Sequence, residues 1–323
     1  MKMSVNIAGV ELKNPVVTGS GTFGFGEEYG EFYDLSELGG IGIKGLTLKK
    51  RDGNPPPRIA ETPLGILNSV GLQNPGVDYY LEHDLPKLRQ HDVKIIANIA
   101  GNTVEEYCEM AEKVSAGCDL IELNISCPNV KEGGVAFGTS CNMVEHITRE
   151  VKKHAAVPLV VKLSPNVTDI AEIARAAEAA GADALSLINT LLGMRIDIKT
   201  RRPVLHNNVG GMSGPAVKPV AVRMVWQVAN AVKVPVIGMG GIQTAEDAIE
   251  FLLAGATAVS VGTANFRDPY AALKVVRGIE AYMRENGIED VAELTGGAVS
   301  YTHLDVYKRQ AQGEAHVRNG AAL

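Results

Sequence analysis

A cysteine flanked by two asparagines, in the stretch IELNISCPNV, is the feature of this sequence best suited to chemistry. Cys127 follows an apolar run, and Asn124 and Asn129 lie on either side of it. A cysteine thiolate can remove a proton, and asparagine side chains offer donors and acceptors to a ligand edged with imide groups. The alternative is that Cys127 is a small hydrophobe at a strand end, because free cysteines are among the most buried residues.

Two lysines, Lys44 and Lys162, end apolar runs in the same way. An ammonium group there can stabilise negative charge on a reduced flavin ring, or it can form a Schiff base after desolvation. The first reaction would belong to a flavin enzyme and the second to an aldolase. The residues alone leave both alternatives open.

Glycines cluster in the segments GMGGI and VGTANF, each directly after an apolar run near the end of the chain. Such turns expose backbone N–H groups ahead of helix N-termini, where an anion is favoured. Glycine also simply permits tight turns, but two of these turns after consecutive strands favour a phosphorylated cofactor.

Eight short β-rich runs alternate with amphipathic helical stretches, which predicts an α/β protein with a parallel sheet. The runs begin at Pro15, Ile41, Lys94, Leu120, Leu159, Ala184, Pro235 and Ala258. Eight such units favour a (β/α)₈ TIM barrel over an open doubly wound sheet. In a barrel the active site lies at the carboxyl ends of the strands, where these runs end in lysine, asparagine, cysteine or glycine.

We expect residues 1–298 to form a single barrel domain. The opening VNIAGVELKNP resembles a small hairpin across the barrel bottom, and the polar segments 49–75 and 191–219 resemble long loops at the top. Residues 299–323 break the periodicity, and their first part resembles translated sequencing-adapter read-through. We interpret this tail as non-native and leave it out of the fold prediction. An unusual natural tail is the alternative.

The composition of the 323 residues, 46% hydrophobic and 21% charged, is that of a globular protein. A net charge of −6 with scattered basic residues argues against a nucleic-acid partner. The N-terminus lacks the long apolar region of a signal peptide and no window is apolar enough to span a membrane, so we expect a cytoplasmic protein. The four cysteines form no CxxC pair, which argues against a metal site or an iron–sulfur cluster on this chain.

Taken together and in order, the sequence motifs are similar to those of the dihydroorotate dehydrogenases of class 1, and most closely to the catalytic subunit of the NAD-dependent class 1B form. The resemblance covers residues 4 to about 298 and stops at the tail. It rests on the motifs IKGLT, ETPLGILNSVGLQNPG, NISCPN, INTLLGM, GGMSGPAVKPVAVRMVWQV, GMGGI and VGTANF.

The resemblance implies that Cys127 is the catalytic base. It implies a substrate site made of Lys44, Asn68, Ser69, Val70, Gly71, Leu72, Asn124, Asn129, Asn189 and Thr190. It implies an FMN site made of Ser20, Lys44, Gly45, Asn98, Asn124, Lys162, Ile188, Gly214, Gly240, Gly241, Gly262 and Thr263. The glycine-rich segment 130–140 is expected to act as a lid.

The implied reaction is the oxidation of (S)-dihydroorotate to orotate in pyrimidine synthesis, with the proton passing to Cys127 and the hydride to FMN. Because this chain lacks cysteines spaced for a cluster, the resemblance also implies a partner subunit that carries FAD and a [2Fe–2S] cluster and reduces NAD⁺. Two catalytic and two partner chains would form the assembly.

Four alternatives remain at this point. They are a class 1A homodimer that reduces fumarate, a Schiff-base aldolase using Lys162, a flavin dehydrogenase acting on other dihydropyrimidines, and a flavin-binding barrel without activity.

Overall fold

The computed structural model describes residues 1–125, 131–132 and 135–298, and its central feature is a closed barrel of eight parallel strands. The strands of the described chain are β1 (Val5–Ile7), β2 (Val10–Leu12), β3 (Val16–Thr18), β4 (Gly40–Gly42), β5 (Ile59–Thr62), β6 (Gly65–Asn68), β7 (Lys94–Ile99), β8 (Leu120–Asn124), β9 (Lys131–Glu132), β10 (Val135–Ala136), β11 (Leu159–Lys162), β12 (Ala184–Leu187), β13 (Leu191–Met194), β14 (Ile196–Asp197), β15 (Arg202–Pro203), β16 (Val209–Ser213), β17 (Val236–Met239) and β18 (Ala258–Val261).

The barrel strands follow one another in chain order as β3, β4, β7, β8, β11, β12, β17 and β18. The ring closes where β18 pairs in parallel with β3, with Val261 opposite Thr18. Each of the eight predicted apolar runs supplies one of these strands, so the predicted (β/α)₈ barrel is confirmed. Their side chains are buried on both faces, as expected for a parallel sheet covered by helices.

The helices of the described chain include six of nine or more residues, which cover the outside of the barrel. In order they are α1 (Glu27–Gly30), α2 (Val77–Tyr79), α3 (Leu85–Leu88), α4 (Val104–Val114), α5 (Cys141–His154), α6 (Ile170–Ala179), α7 (Lys218–Ala229), α8 (Ala245–Leu253) and α9 (Ala271–Glu285). Helix α4 illustrates why they form. Its buried residues recur every three or four positions, as in Tyr107, Met110 and Val114, and Thr103 caps it by accepting a hydrogen bond from the Glu106 N–H.

The N-terminal segment forms the predicted hairpin, in which β1 and β2 pair antiparallel with Val5 opposite Leu12. Both side chains are buried in the hydrophobic core. The hairpin directly precedes β3, so it lies at the amino-terminal end of the barrel, opposite the end where strand-end chemistry is expected.

The two segments predicted as long loops at the barrel top pair with each other. Strands β5 and β6 from the first segment and β13 and β16 from the second form one antiparallel sheet in the order β13-β16-β6-β5. Gly211 of β16 pairs with Asn68 of β6. The sheet therefore fixes Asn68, the first residue of the predicted substrate segment 68–72, against a part of the chain that lies far away in sequence.

No helix within the described ranges is long and apolar enough to cross a membrane. The predicted tail, residues 299–323, lies outside the described residues, so its interpretation stays a prediction.

Candidate active site

A cavity of about 1140 Å³ opens at the carboxyl ends of the barrel strands. All eight strands supply at least one residue to its wall, at the strand end or just after it. These residues include Ser20, Lys44, Asn98, Asn124, Lys162, Ile188, Gly240 and Gly262. This is the end at which TIM barrels carry their active sites, and the volume is sufficient for a nucleotide-sized cofactor together with a small substrate.

The structure brings the predicted site residues together wherever it describes them. The cavity is lined by Ser20, Lys44, Gly45, Asn68, Ser69, Val70, Gly71, Leu72, Asn98, Asn124, Lys162, Ile188, Asn189, Thr190, Gly214, Gly240, Gly241, Gly262 and Thr263. Cys127, Asn129 and part of the predicted lid lie outside the described residues. The individual roles of these side chains, and the lid, therefore stay predictions.

A buried ion pair lies at the base of the cavity. The Lys162 ammonium is 3.2 Å from a carboxylate oxygen of Glu122, and each side chain is only 7% exposed. The same carboxylate accepts a 2.6 Å hydrogen bond from the Asn98 amide and a 2.7 Å bond from the Ser186 hydroxyl. A buried carboxylate requires such partners, because an unpaired buried charge is strongly destabilising.

A row of amides connects this ion pair to the predicted substrate side of the cavity. The Asn189 amide donates to the Asn124 side-chain oxygen at 3.3 Å, and the Asn124 amide donates to the Asn98 side-chain oxygen, also at 3.3 Å. Asn98 in turn donates to Glu122. Because each amide is oriented by the next, the row offers a ligand donors and acceptors in a defined arrangement.

Lys44 supplies a second ammonium group to the cavity wall. Burial lowers the pKa of Lys44 below its ordinary value, and the positive charge of Arg58 lowers it further. Both effects disfavour the charged form of Lys44. An anionic ligand beside it would relieve this cost, so the position suits a substrate that carries a carboxylate.

The predicted substrate segment 68–72 is held by its backbone. The Ser69 N–H donates to the Arg58 carbonyl oxygen at 2.8 Å, and the side-chain amides of Asn54 and Asn74 donate to the carbonyl oxygens of Ser69 and Leu72. The Ser69 hydroxyl oxygen is buried, and the described residues give it no hydrogen-bond partner. Since buried hydroxyls are normally paired, Ser69 fits a position that a ligand completes.

The glycines after β17 and β18 bring bare backbone to the cavity wall. Gly240 and Gly241 have φ angles of +126° and +83°, which residues other than glycine rarely adopt. A Cβ atom added at Gly262 would meet only Thr22, at 3.9 Å, and one added at Gly21 would meet nothing within 4 Å. Side chains there would fill cavity space, so the residues present fit a group that packs against backbone, such as a phosphate.

Two of the described cysteines, Cys118 and Cys108, make poor bases. Burial raises the pKa of the Cys118 thiol to about 12, and burial also raises the pKa of Cys108. Neither residue lines the cavity. This leaves the sequence prediction for Cys127 without competition from these two thiols.

Sequence reasoning missed Glu122 and Ser186, which lie behind the cavity wall. A signal for Glu122 was present, because it stands two residues before Asn124 on β8, and residues two apart point to the same side of a strand. A charged residue within the run LIELNIS is costly unless it is paired, and Lys162 on the neighbouring strand is the partner.

Comparisons with known proteins agree with this geometry. The sequence model of the family described as dihydroorotate dehydrogenase matches residues 2–283. The chain belongs to the dihydroorotate dehydrogenase family. The dihydroorotate dehydrogenase B (NAD(+)) catalytic subunit of Alkaliphilus metalliredigens is 63% identical over 297 residues, which cover 92% of this chain and 98% of that protein. The protein of the same name from Alkaliphilus oremlandii is 64% identical over 295 residues, covering 91% and 98%.

A solved structure of another dihydroorotate dehydrogenase has the same fold. The crystal structure of the enzyme from Eimeria tenella, in complex with ferulenol, matches with a TM-score of 0.77 at 25% identity. The match covers 92% of this chain and 88% of that chain. The likeness therefore agrees with the barrel fold of this chain.

Proposed function

We propose that this chain is the catalytic subunit of a class 1B dihydroorotate dehydrogenase, which oxidises (S)-dihydroorotate to orotate in pyrimidine synthesis and passes the electrons to NAD⁺ through a partner subunit. One observation carries the proposal. Relatives with 56–64% identity over about nine tenths of this chain bear the name dihydroorotate dehydrogenase B (NAD(+)), catalytic subunit.

FMN is the cofactor that the family implies, and the residues present fit it. The backbone of Gly240, Gly241 and Gly262, which line the cavity, would receive the phosphate, while Lys162 and Asn98 would bind the flavin ring. When bound, FMN supplies the hydride acceptor. The ammonium of Lys162 favours negative charge at the ring, which is the charge that accompanies reduction.

The substrate would lie between the flavin and residues 68–72. Lys44 would bind the substrate carboxylate, and the amides of Asn68, Asn124 and Asn189 would hold the imide edge of its ring. The buried Ser69 hydroxyl would complete its hydrogen bonding with the ligand. These contacts orient the carbon that loses a proton.

Cys127 would take that proton, a role that rests on the sequence motif because the residue lies outside the described part of the chain. A free cysteine has a pKa near 8.5, so a modest local effect is enough to make it a competent base at neutral pH.

The electrons must leave through a second protein. The proposed partner carries FAD and a [2Fe–2S] cluster, and two copies of each chain form the assembly. The partner is supported by the words catalytic subunit in the names of the relatives. A cytoplasmic location also stays a prediction, and subcellular fractionation would test it.

The buried ion pair argues against the Schiff-base alternative. An aldolase lysine must present its nitrogen to a carbonyl group, whereas the Lys162 nitrogen lies 3.2 Å from the buried Glu122 carboxylate. Borohydride in the presence of a carbonyl substrate would trap a Schiff base, and we expect no adduct at Lys162.

An acceptor assay tests the proposal. Dihydroorotate is mixed with the chain alone or with an iron–sulfur flavoprotein partner, and fumarate and NAD⁺ are compared as acceptors. We expect NAD⁺ reduction only with the partner present. Rapid fumarate reduction by the chain alone would indicate the class 1A arrangement, and faster oxidation of dihydrouracil than of dihydroorotate would indicate a different dihydropyrimidine substrate.

A further inference from the structure

Glu122 is a carboxylate buried inside the barrel that does not reach the ligand cavity. It lies on β8 and is 6% exposed. Among the described residues that line the cavity, Lys162, Asn98 and Asn124 are present, but Glu122 is absent. A side chain in this place acts on a ligand only through the residues that separate the two.

The residues between Glu122 and the cavity are the two that would hold the flavin ring. The carboxylate receives the Asn98 amide at 2.6 Å and the Lys162 ammonium at 3.2 Å, both through the same oxygen. Its other oxygen accepts the Ser186 hydroxyl at 2.7 Å. Ser186 is also fully buried, so the carboxylate is fixed from both sides.

The barrel register explains why these groups meet. Asn98 of β7 stands directly opposite Glu122 of β8, and Lys162 of β11 stands opposite both Asn124 on one side and Ser186 on the other. The contacts therefore follow from four consecutive barrel strands rather than from a flexible loop. Their geometry is as rigid as the barrel itself.

The charge balance at this point has a consequence for reduction. Reduced flavin carries more negative charge than oxidised flavin, so a nearby ammonium favours the reduced form and a nearby carboxylate opposes it. The net effect of Lys162 and Glu122 depends on both charges together, and each contribution is strong because both groups are withdrawn from water.

We propose that Glu122 is a positioning residue that fixes Lys162 and Asn98 against the flavin ring and that, by offsetting the Lys162 charge, holds the reduction potential of bound FMN below the value that Lys162 alone would give. The inference rests on the proposed function, because it requires FMN in this cavity.

The test is the midpoint potential of FMN in the holoenzyme, measured by anaerobic titration against redox dyes. Glu122→Gln keeps the shape of the side chain and removes its charge, so the Lys162 ammonium no longer has a carboxylate at 3.2 Å. We expect the equilibrium to shift at least tenfold toward reduced flavin, which is about +30 mV for a two-electron couple. The matched control is Glu285→Gln, an exposed residue at the end of α9, which should leave the potential unchanged.

A second variant acts in the opposite direction and keeps the carboxylate. Ser186→Ala removes the hydroxyl that partly neutralises Glu122. The carboxylate then opposes reduction more strongly, so the potential should fall by a smaller amount. If Glu122→Gln fails to fold or to retain FMN, the sign of the change in FMN midpoint potential in Ser186→Ala alone tests the inference. A fall supports the inference, and no change or a rise overturns it.

Failure of the inference can be distinguished from failure of the proposed function. The proposed function is contradicted if the wild-type protein holds no FMN, or if its FMN stays oxidised when dihydroorotate is added. If dihydroorotate reduces the FMN of the wild-type protein, but a folded Glu122→Gln variant has an unchanged FMN midpoint potential, only the role of Glu122 is contradicted.

Discussion

The buried ion pair makes a quantitative prediction about stability. Replacing Lys162 with methionine keeps the approximate length of the side chain but leaves Glu122 without its cation. At an effective dielectric constant of ~20, Coulomb's law gives about 5 kcal/mol for unit charges 3.2 Å apart. Removal of one partner from a buried pair typically costs about 3–5 kcal/mol. Asn98 and Ser186 still donate to the carboxylate, so we expect about 3 kcal/mol.

Urea unfolding of protein freed of FMN, followed by circular dichroism, measures this loss without a contribution from cofactor binding. The matching decrease in melting temperature is about 6–12 °C. The control is Lys274→Met. Its ion pair with Asp268 is shorter, at 2.6 Å, but the two side chains are 66% and 38% exposed, so the loss should stay below about 1 kcal/mol.

If the two lysine variants lose the same stability, or if Lys162→Met unfolds like the wild type, the buried ion pair does not stabilise the barrel as proposed. The double variant Lys162→Met with Glu122→Gln provides a further check. Because this variant has removed both charges, no unpaired charge is buried, and it should recover at least half of the stability lost by Lys162→Met alone.

Three further predictions concern the base, the second lysine and the tail. Cys127→Ala should retain FMN, but its flavin should be reduced by dihydroorotate about 100-fold or more slowly in stopped flow. The control Cys118→Ala should lower only the stability of the protein. Equal reduction rates for the two variants would show that Cys127 is not the base. The pKa of Lys44 is lowered, and only its protonated form attracts an anion, so orotate affinity should fall as the pH rises through that pKa, below 10.5. Calorimetry should then show proton uptake when orotate binds. Lys44→Met should bind orotate about 10–100-fold more weakly, and its affinity should not decline at alkaline pH. If the variant and the wild type show the same pH dependence of orotate affinity, Lys44 does not bind the substrate carboxylate. Deletion of residues 299–323 should change neither FMN content nor turnover, because all predicted site residues precede them, whereas loss of the folded barrel would show that the tail is structural.

The barrel could be predicted from the sequence because each strand signal is local. Runs such as LVVKLSP and ALSLINT are apolar, rich in β-branched residues and bounded by turn residues, and the order of parallel strands in a closed barrel follows chain order. The positions of Lys44, Asn98 and Lys162 at the cavity follow from the same rule, since each stands at or near the carboxyl end of its strand.

The contacts between distant segments could not be predicted. The sheet that pairs β6 with β16 joins residues more than a hundred positions apart, and both segments read as polar loops because their strands are short and partly exposed. The partners of Glu122 were also missed. Which of several interior side chains meet across a barrel depends on strand register, and apolar patterning alone does not specify that register.

Anaerobic titration of the purified chain with dihydroorotate, followed in the visible spectrum, tests most directly whether this chain oxidises dihydroorotate with FMN. We expect a yellow protein with the absorbance of bound FMN, which bleaches as one equivalent of orotate forms per flavin. A colourless protein that does not take up FMN would contradict this function, and so would a yellow protein whose flavin stays oxidised after dihydroorotate is added.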